Sequence, residues 1–325
     1  MQPRISVIIL NWNGRRWLEN CLSSILKQEL DEDFEVLLVD NGSTDSSVEY
    51  VKNDFPEVRV VGLERNYGFA QGNNLGVSHA RGEYLIFVNM DTKAEDGWLK
   101  NLVMAADEHL EYQILCSMQL PIQEKNKVWT LYAVGAPAIS PYESTLKITD
   151  SLFASGACFL IRRNWLEKVG YLFDSYYFCY SEDIDLSLRT ILLGGRIGYV
   201  RDSRINHYSH GSEPLVFWAQ RLSARNLLLT YYKLFTPKNF ARVFIVYVIC
   251  VVTALIFHFK RAALGLLKGI LDFLSSFRRY EKYRKWFLTV KQREDEYVFR
   301  RFLYIGRLDR TLFKKIYSCP ERGRL

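Results

Sequence analysis

The chain has 325 residues, 49% of them hydrophobic, which suits one large domain or two smaller ones with a sizeable core. Its six cysteines are scattered with no CxxC pair, which argues against a zinc cluster or a disulfide framework and for a reducing compartment. The net charge of +7 is uneven: residues 241–325 carry 19 Lys and Arg against 7 Asp and Glu, and residues 1–240 carry 24 against 29. The basic part has no zinc-finger, helix-turn-helix or RNP-like motif and holds the longest apolar run, so a membrane surface fits it better than nucleic acid. The first apolar stretch begins after only four residues, without a charged start and a long hydrophobic segment, so no cleavable signal peptide is expected.

Arg4 to Asn11 reads as a first buried strand, followed by a turn at Asn11-Trp12-Asn13-Gly14. Arg15 to Gln28 places Trp17, Leu18, Cys21, Leu22, Ile25 and Leu26 at helical spacing. A second strand, Phe34 to Asp40, ends at Asn41-Gly42-Ser43-Thr44-Asp45, and Ser46 to Asn53 is helical. Val58 to Val61 is a short third strand, and Gln71 to Arg81 a helix entered through Arg65-Asn66-Tyr67-Gly68-Phe69-Ala70. Tyr84 to Val88 is a fourth buried strand that stops at Asn89-Met90-Asp91. Alternating short strands and helices predict a parallel sheet covered on both faces.

Three strands thus end in polar turns, at Asn11, Asp40 and Asp91, where open α/β sheets bind ligands. Asp40 suits hydrogen bonds from a base or ribose. Asp91 suits a hard cation set against a phosphate, or caps the helix that starts near Glu95. The first strand is not followed by GxGxxG, so a dinucleotide site is not expected.

From 112 to 150, with Pro121, Pro137 and Pro141, the pattern is one of less regular strands and loops. Ser151 to Ile161 reads as a strand with small residues at its centre, Arg162 to Val169 as a short helix, and Phe173 to Tyr180 as an aromatic loop. Ser181-Glu182-Asp183-Ile184-Asp185 opens a helix that ends at Gly194-Gly195. Ser181 is a candidate N-cap, and the acids either complement the helix dipole or place a base at the rim. Arg196 to Val200 is a strand. His207, beyond it, is either structural or a nitrogen ligand beside Asp91.

These blocks together resemble the inverting glycosyltransferases of family 2, over about residues 4–215. They are Ser6 to Gly14, Val39 to Asp45, Arg65 to Ala70 with Asn73, Asn89-Met90-Asp91, Ser155-Gly156-Ala157 and Glu182 to Asp185. The Asn-x-Asp form is most similar to a bacterial rhamnosyltransferase-like branch. The resemblance implies an α/β GT-A fold, Rossmann-like, with a mostly parallel central sheet and helices on both faces. It implies transfer of a sugar from a nucleotide-diphospho-sugar, dTDP-rhamnose among the candidates, to a hydroxyl of a lipid-linked or cell-surface glycan acceptor. By position, Asp40 would contact the base, with Asn11, Gly42 and Ser43 lining that pocket. Asn66, Gly68 and Asn73 would pack along the ribose and diphosphate. Asp91 and His207 would hold Mg2+ or Mn2+, with Asn89 beside them. Asp183 would be the catalytic base and Glu182 its partner. Asn89 stands where the family has its first Asp, which removes one charge and lowers the expected metal affinity. A catalytically silent relative serving as a membrane-bound assembly or glycan-binding partner is the alternative.

Residues 1–215 therefore read as the catalytic domain and 216–325 as a helical, basic, membrane-associated region. Trp218 to Tyr232 looks helical and Thr236-Pro237 breaks it. Val243 to Phe257 is uncharged, and a marginal span, an interfacial helix and a buried core helix all remain open for it. Leu264 to Phe277 is amphipathic, and Arg278 to Trp286 interleaves basic and aromatic residues, as an anionic leaflet on the cytoplasmic face of a membrane would favour.

Overall fold

The structure is a computed structural model and describes residues 2–121, 147–208, 216–256 and 260–302. The described residues fall into a sheet unit, up to residue 208, and a helical unit from 216 onward.

The sheet unit begins with β1 (Ile5–Asn11), α1 (Arg15–Leu26), β2 (Phe34–Asp40), α2 (Ser47–Asp54), β3 (Arg59–Gly62), α3 (Gly68–His79) and β4 (Tyr84–Asn89). These strands are parallel, in the order β3-β2-β1-β4. Their apolar runs are buried because both faces are covered. Ile5, Val7 and Ile9 of β1 share a core with Leu18, Cys21, Leu22 and Ile25 of α1. On the opposite face, Ile8 and Leu10 lie against glycines of α3, Gly76 and Gly72.

The second half departs from the expected mostly parallel sheet. It contains β5 (Thr92–Ala94), α4 (Trp98–Glu108), β6 (Ile114–Pro121), β7 (Ile148–Ser151), β8 (Cys158–Arg162), α5 (Arg163–Val169), α6 (Glu182–Leu192) and β9 (Ile197–His207). Strand β8 inserts antiparallel between β4 and β6, and β5 and β7 both pair antiparallel with β9, so the sheet is mixed. Strand direction depends on the connections, and residues 112–150 carry no periodicity from which to read them; 122–146 lie outside the described residues. The expected single strand over 151–161 is two, β7 and β8, separated by a turn that holds Ser155 and Gly156. Asp91 does not cap a helix: three residues of β5 follow it, and α4 begins only after Gly97.

Helix α6 is fixed by a fully buried ion pair, Arg189 Nε to Asp185 at 2.8 Å. Arg189 also donates to the carbonyls of Val169, Tyr171 and Leu172, tying the helix to the loop before it. Removing the cation leaves Asp185 buried with its charge uncompensated. Arg189→Met is expected to lose about 3–5 kcal/mol in urea denaturation; a loss below 1 kcal/mol would show that the pair does not hold α6.

The helical unit comprises α7 (Val216–Leu234), α8 (Pro237–Ile256), α9 (Lys260–Ser276), α10 (Glu281–Val290) and α11 (Asp295–Phe302). Pro237 opens α8, where its missing N–H costs nothing. Helix α9 approaches α7 closely: a Cβ on Gly269 would lie 2.6 Å from the Arg221 carbonyl oxygen. Among the described residues no helix is long and apolar enough to cross a membrane.

Candidate functional site

The ends of β1, β2 and β4 lie side by side, with Asn11 paired to Asp40 and Leu10 to Asn89. The first cluster grows from that register. Asn11 Nδ2 donates to Asp40 Oδ1 at 2.8 Å and to Ser43 Oγ at 3.1 Å, and the Ser43 N–H donates to Asp40 Oδ2 at 2.9 Å. Asp40 is buried, and Asn11 Oδ1 has no hydrogen-bond partner among the described residues. Gly42 adopts φ +73°, and a Cβ there would sit 2.6 Å from the Arg65 Cα, so only glycine lets these two loops meet.

Asn41, given no role in the sequence reading, joins the next segment. Its amide nitrogen donates to Asn66 Oδ1 (3.0 Å) and to the Gly68 carbonyl (3.2 Å), and its oxygen accepts from the Tyr67 N–H (2.9 Å). Gly68, at φ +83°, packs under Phe178: a Cβ would lie 2.5 Å from that ring. Phe178 itself is a γ-turn residue (φ 64°, ψ −67°), closed by the Cys179 N–H on the Tyr177 carbonyl, and its own carbonyl accepts from the Ala70 N–H. Tyr180 and Ser181 also have positive φ. Three strained residues therefore lead into α6, held against the start of α3. Asn73 serves α3 itself: it is buried, and its amide donates to the Phe69 carbonyl at 2.9 Å.

The second cluster is built on β4, β8 and β9. The Asn89 N–H donates to the Ala157 carbonyl, which brings the Ser155-Gly156-Ala157 turn to the end of β4. Antiparallel pairing of Thr92 with His207 sets the Asp91 carboxylate 3.3 Å from His207 Nε2. The other imidazole nitrogen, Nδ1, lies 3.3 Å from Gln119 Oε1, and the Gln119 amide donates to Ser155 Oγ. Tyr208 packs on Trp17 of α1 in a tilted ring pair, 5.2 Å between centroids, which ties the end of β9 to α1. One residue along, the Gly156 N–H donates to Asp183 Oδ2 at 3.2 Å, and the Ile184 N–H donates to Asp183 Oδ1 at 2.8 Å. A continuous run of contacts thus links Asp91, His207, Gln119, the 155–157 turn and Asp183.

Ser181 is not the expected cap: it is left-handed at φ 68°, and its side chain makes no capping bond. The start of α6 instead carries two adjacent carboxyls. Glu182 is buried, with Oε2 unpartnered among the described residues, and burial, then the neighbouring Asp183 charge, pushes its carboxyl well above the usual range. Burial also raises Asp183, against the two N–H donors that favour its ionised form. Burial thus pushes Glu182 toward its protonated form, while the Gly156 and Ile184 N–H groups favour the ionised form of Asp183.

A raised carboxyl pKa contributes stability that is complete below the unfolded value and is lost as pH rises through the folded one. Glu182→Gln cannot ionise. Its Tm is expected to gain on the wild type steadily as pH rises from about 5 to 8; a difference independent of pH would mean that Glu182 ionises normally.

Among the described residues no three His, Cys, Asp or Glu side chains gather as a metal cluster. Asp91 and His207 still fit a divalent cation: a hard carboxylate oxygen and an imidazole nitrogen converge at the rim, leaving further positions for phosphate oxygens and water. Asn89 contributes backbone bonds here, its carbonyl accepting from Thr92 Oγ1 at 2.8 Å.

Comparison with known proteins points the same way. The model of glycosyl transferase family 2 matches residues 6–170, and that of glycosyl transferase family group 2 matches residues 99–277. The chain is 27% identical over 227 residues, 65% of its length, to the O-antigen biosynthesis protein RfbC of Myxococcus xanthus, but spans only 18% of that protein. It is similar to TarS 1–349 of Staphylococcus aureus in complex with UDP-GlcNAc, with TM-score 0.52 and 21% identity over 69% of this chain and 66% of that one. The structure of GalNAc-T7 with UDP, GalNAc and Mn2+ superposes with TM-score 0.65 and 17% identity over 98% of this chain and 59% of that one. At these identities the structural likeness is one of fold, the GT-A fold. The family model, in contrast, covers half the chain and takes in β1, β2 and β4, whose ends form the rim. The chain belongs to glycosyl transferase family 2.

Proposed function

We propose that the sheet unit transfers a sugar from a nucleotide-diphospho-sugar to an acceptor hydroxyl, with inversion at the anomeric carbon. The observation that carries this reading is the contact run from Asp91 through the 155–157 turn to Asp183, which sets a carboxylate–imidazole pair and a half-buried carboxylate on one rim.

Asp40 accepts hydrogen bonds only, which suits the N3–H of uracil or thymine. The Asn66 to Gly68 turn and the start of α3 run along the ribose and diphosphate. Asp183 takes the proton of the acceptor hydroxyl as its oxygen attacks the anomeric carbon. The bond from that carbon to the diphosphate breaks on the opposite face, and the electron pair leaves with the nucleoside diphosphate. A single displacement inverts the centre and needs no carboxylate nucleophile. Mg2+ or Mn2+ held by Asp91 and His207 would supply neutralisation of the diphosphate charge. Burial pushes Glu182 toward its neutral form, which disfavours a second charge next to the base.

dTDP-rhamnose is the donor favoured by the Asn-x-Asp form of the sequence blocks, and UDP-GlcNAc is the donor bound in the TarS neighbour. Both share the pyrimidine edge that Asp40 suits. We place the chain at the cytoplasmic face of the cell membrane, with a lipid-linked or cell-surface glycan as acceptor; its buried free cysteines, Cys21, Cys116 and Cys158, fit a reducing compartment. The test is release of nucleoside diphosphate from these two donors with Mn2+. Release from at least one, lost in Asp183→Asn, is expected. Failure of wild type to bind or turn over any pyrimidine nucleotide-sugar would refute the reading and favour the catalytically silent alternative.

A further inference from the structure

Two consecutive helices of the helical unit are apolar on two faces each. Val243, Tyr247 and Val251 of α8, and Ala263, Leu266, Ile270 and Phe273 of α9, are buried in the unit's own core. Outside that core, Ile245, Val248, Ile249, Val252, Leu255 and Ile256 of α8 recur at helical spacing, each 42–62% exposed. Leu264, Leu267, Leu271 and Leu274 repeat the pattern on α9. Scattered exposed aliphatics are ordinary; ten in two helical stripes are not.

The charges around the stripes identify what covers them. Residues 237–256 and 260–285 contain ten Lys and Arg and two acids, and both acids are paired, Asp272 with Arg221 and Lys268, and Glu281 with Lys285. Lys238, Arg242, Arg261, Lys268, Arg278 and Lys282 are exposed. The stripes are purely aliphatic, whereas the cores of protein interfaces are rich in aromatic residues and Arg. Aliphatic stripes rimmed by cations match acyl chains beneath anionic headgroups. Exposed cations recur along both helices, at Lys238 and Arg242 of α8 and at Arg261 and Lys268 of α9, which suits helices lying flat.

We infer that α8 and α9 lie in the plane of an anionic bilayer surface, their stripes among the acyl chains and the exposed cations of residues 238–282 at the lipid phosphates. The docking stands on the helical unit alone and does not depend on the glycosyl-transfer reading.

Flotation of the full chain with vesicles tests it, using phosphatidylcholine alone and an equimolar mixture with phosphatidylglycerol. Binding to the anionic vesicles at least about tenfold stronger than to the neutral ones is expected, weakening with salt. The double variant Ile249→Glu/Leu267→Glu should lose binding to both. The triple variant Arg278→Gln/Arg279→Gln/Lys282→Gln, which leaves the stripes intact, should lose the preference for anionic lipid and so keeps the test valid if the double variant misfolds. Wild type that floats with neither vesicle, or a triple variant that keeps the full preference, would overturn the inference. So would a lipid-free wild-type dimer that Ile249→Glu/Leu267→Glu turns into a monomer, because a second copy would then cover the stripes. Nucleoside diphosphate release from soluble donor is read separately. Release without flotation refutes the docking alone, and flotation without release refutes the transfer alone.

Discussion

Asp183→Asn is expected to lower sugar transfer by about 10³–10⁴-fold while leaving the affinity for the nucleotide donor within about twofold of wild type. The side chain sits where the 155–157 turn meets the first turn of α6, its two oxygens accepting from the Gly156 and Ile184 N–H groups. Asparagine keeps the shape and one acceptor but takes no proton. The effect therefore belongs to kcat, measured by nucleotide release under saturating donor. Burial raises the Asp183 carboxyl, so the wild-type rate should fall as pH drops through that raised value, at a pH above the ordinary carboxylate range. A rate flat from pH 4 to 8 would assign proton transfer elsewhere. A variant that loses donor affinity and rate together would make Asp183 a binding residue.

Asp91→Asn is expected to weaken Mn2+ binding in the presence of nucleoside diphosphate and to reduce transfer by about 10²–10³-fold. Asp91 and His207 are the two side chains converging where a cation can sit, and Asn89 provides no negative charge beside them. Loss of the one carboxylate leaves a neutral imidazole and a neutral amide, ligands too weak to compete with water for a hard cation. Calorimetry of Mn2+ with UDP, with and without the substitution, separates metal binding from catalysis. The reverse change, Asn89→Asp, should tighten Mn2+ binding. Unchanged Mn2+ affinity in Asp91→Asn would place the cation at other residues.

The parallel half of the sheet was legible because its strands are continuous apolar runs that stop at polar turns, as at Leu10-Asn11 and Val39-Asp40. Period and punctuation are local, and both survive in a single sequence. The antiparallel half was not, since β5 is three residues long and β8 takes its direction from a turn that only tertiary contacts define. The same division runs through the site. Asp40, Asp91, Glu182 and Asp183 stand out as acids at element ends, whereas Asn41, Gln119 and Phe178 matter through partners 25 to 108 residues away: Asn41 with Asn66, Gln119 with Ser155 and His207, Phe178 with Ala70. Asn73 shows the converse, a polar residue in a recognised block whose amide stays within its own helix. Ser181 failed as a cap because the strained run from Phe178 fixes its backbone before its hydroxyl can choose a partner.

The central claim, that Asp40, Asp91 and Asp183 line one crevice around one activated sugar, is tested most directly by a crystal structure of the chain with UDP-GlcNAc and Mn2+. The expected map shows the uracil at Asp40, an anomalous Mn2+ peak bridging the diphosphate to Asp91 and His207, and the sugar's anomeric carbon facing Asp183. A nucleotide bound away from Asp40, or a metal peak with Asp183 on the far side of the sheet unit, would contradict it.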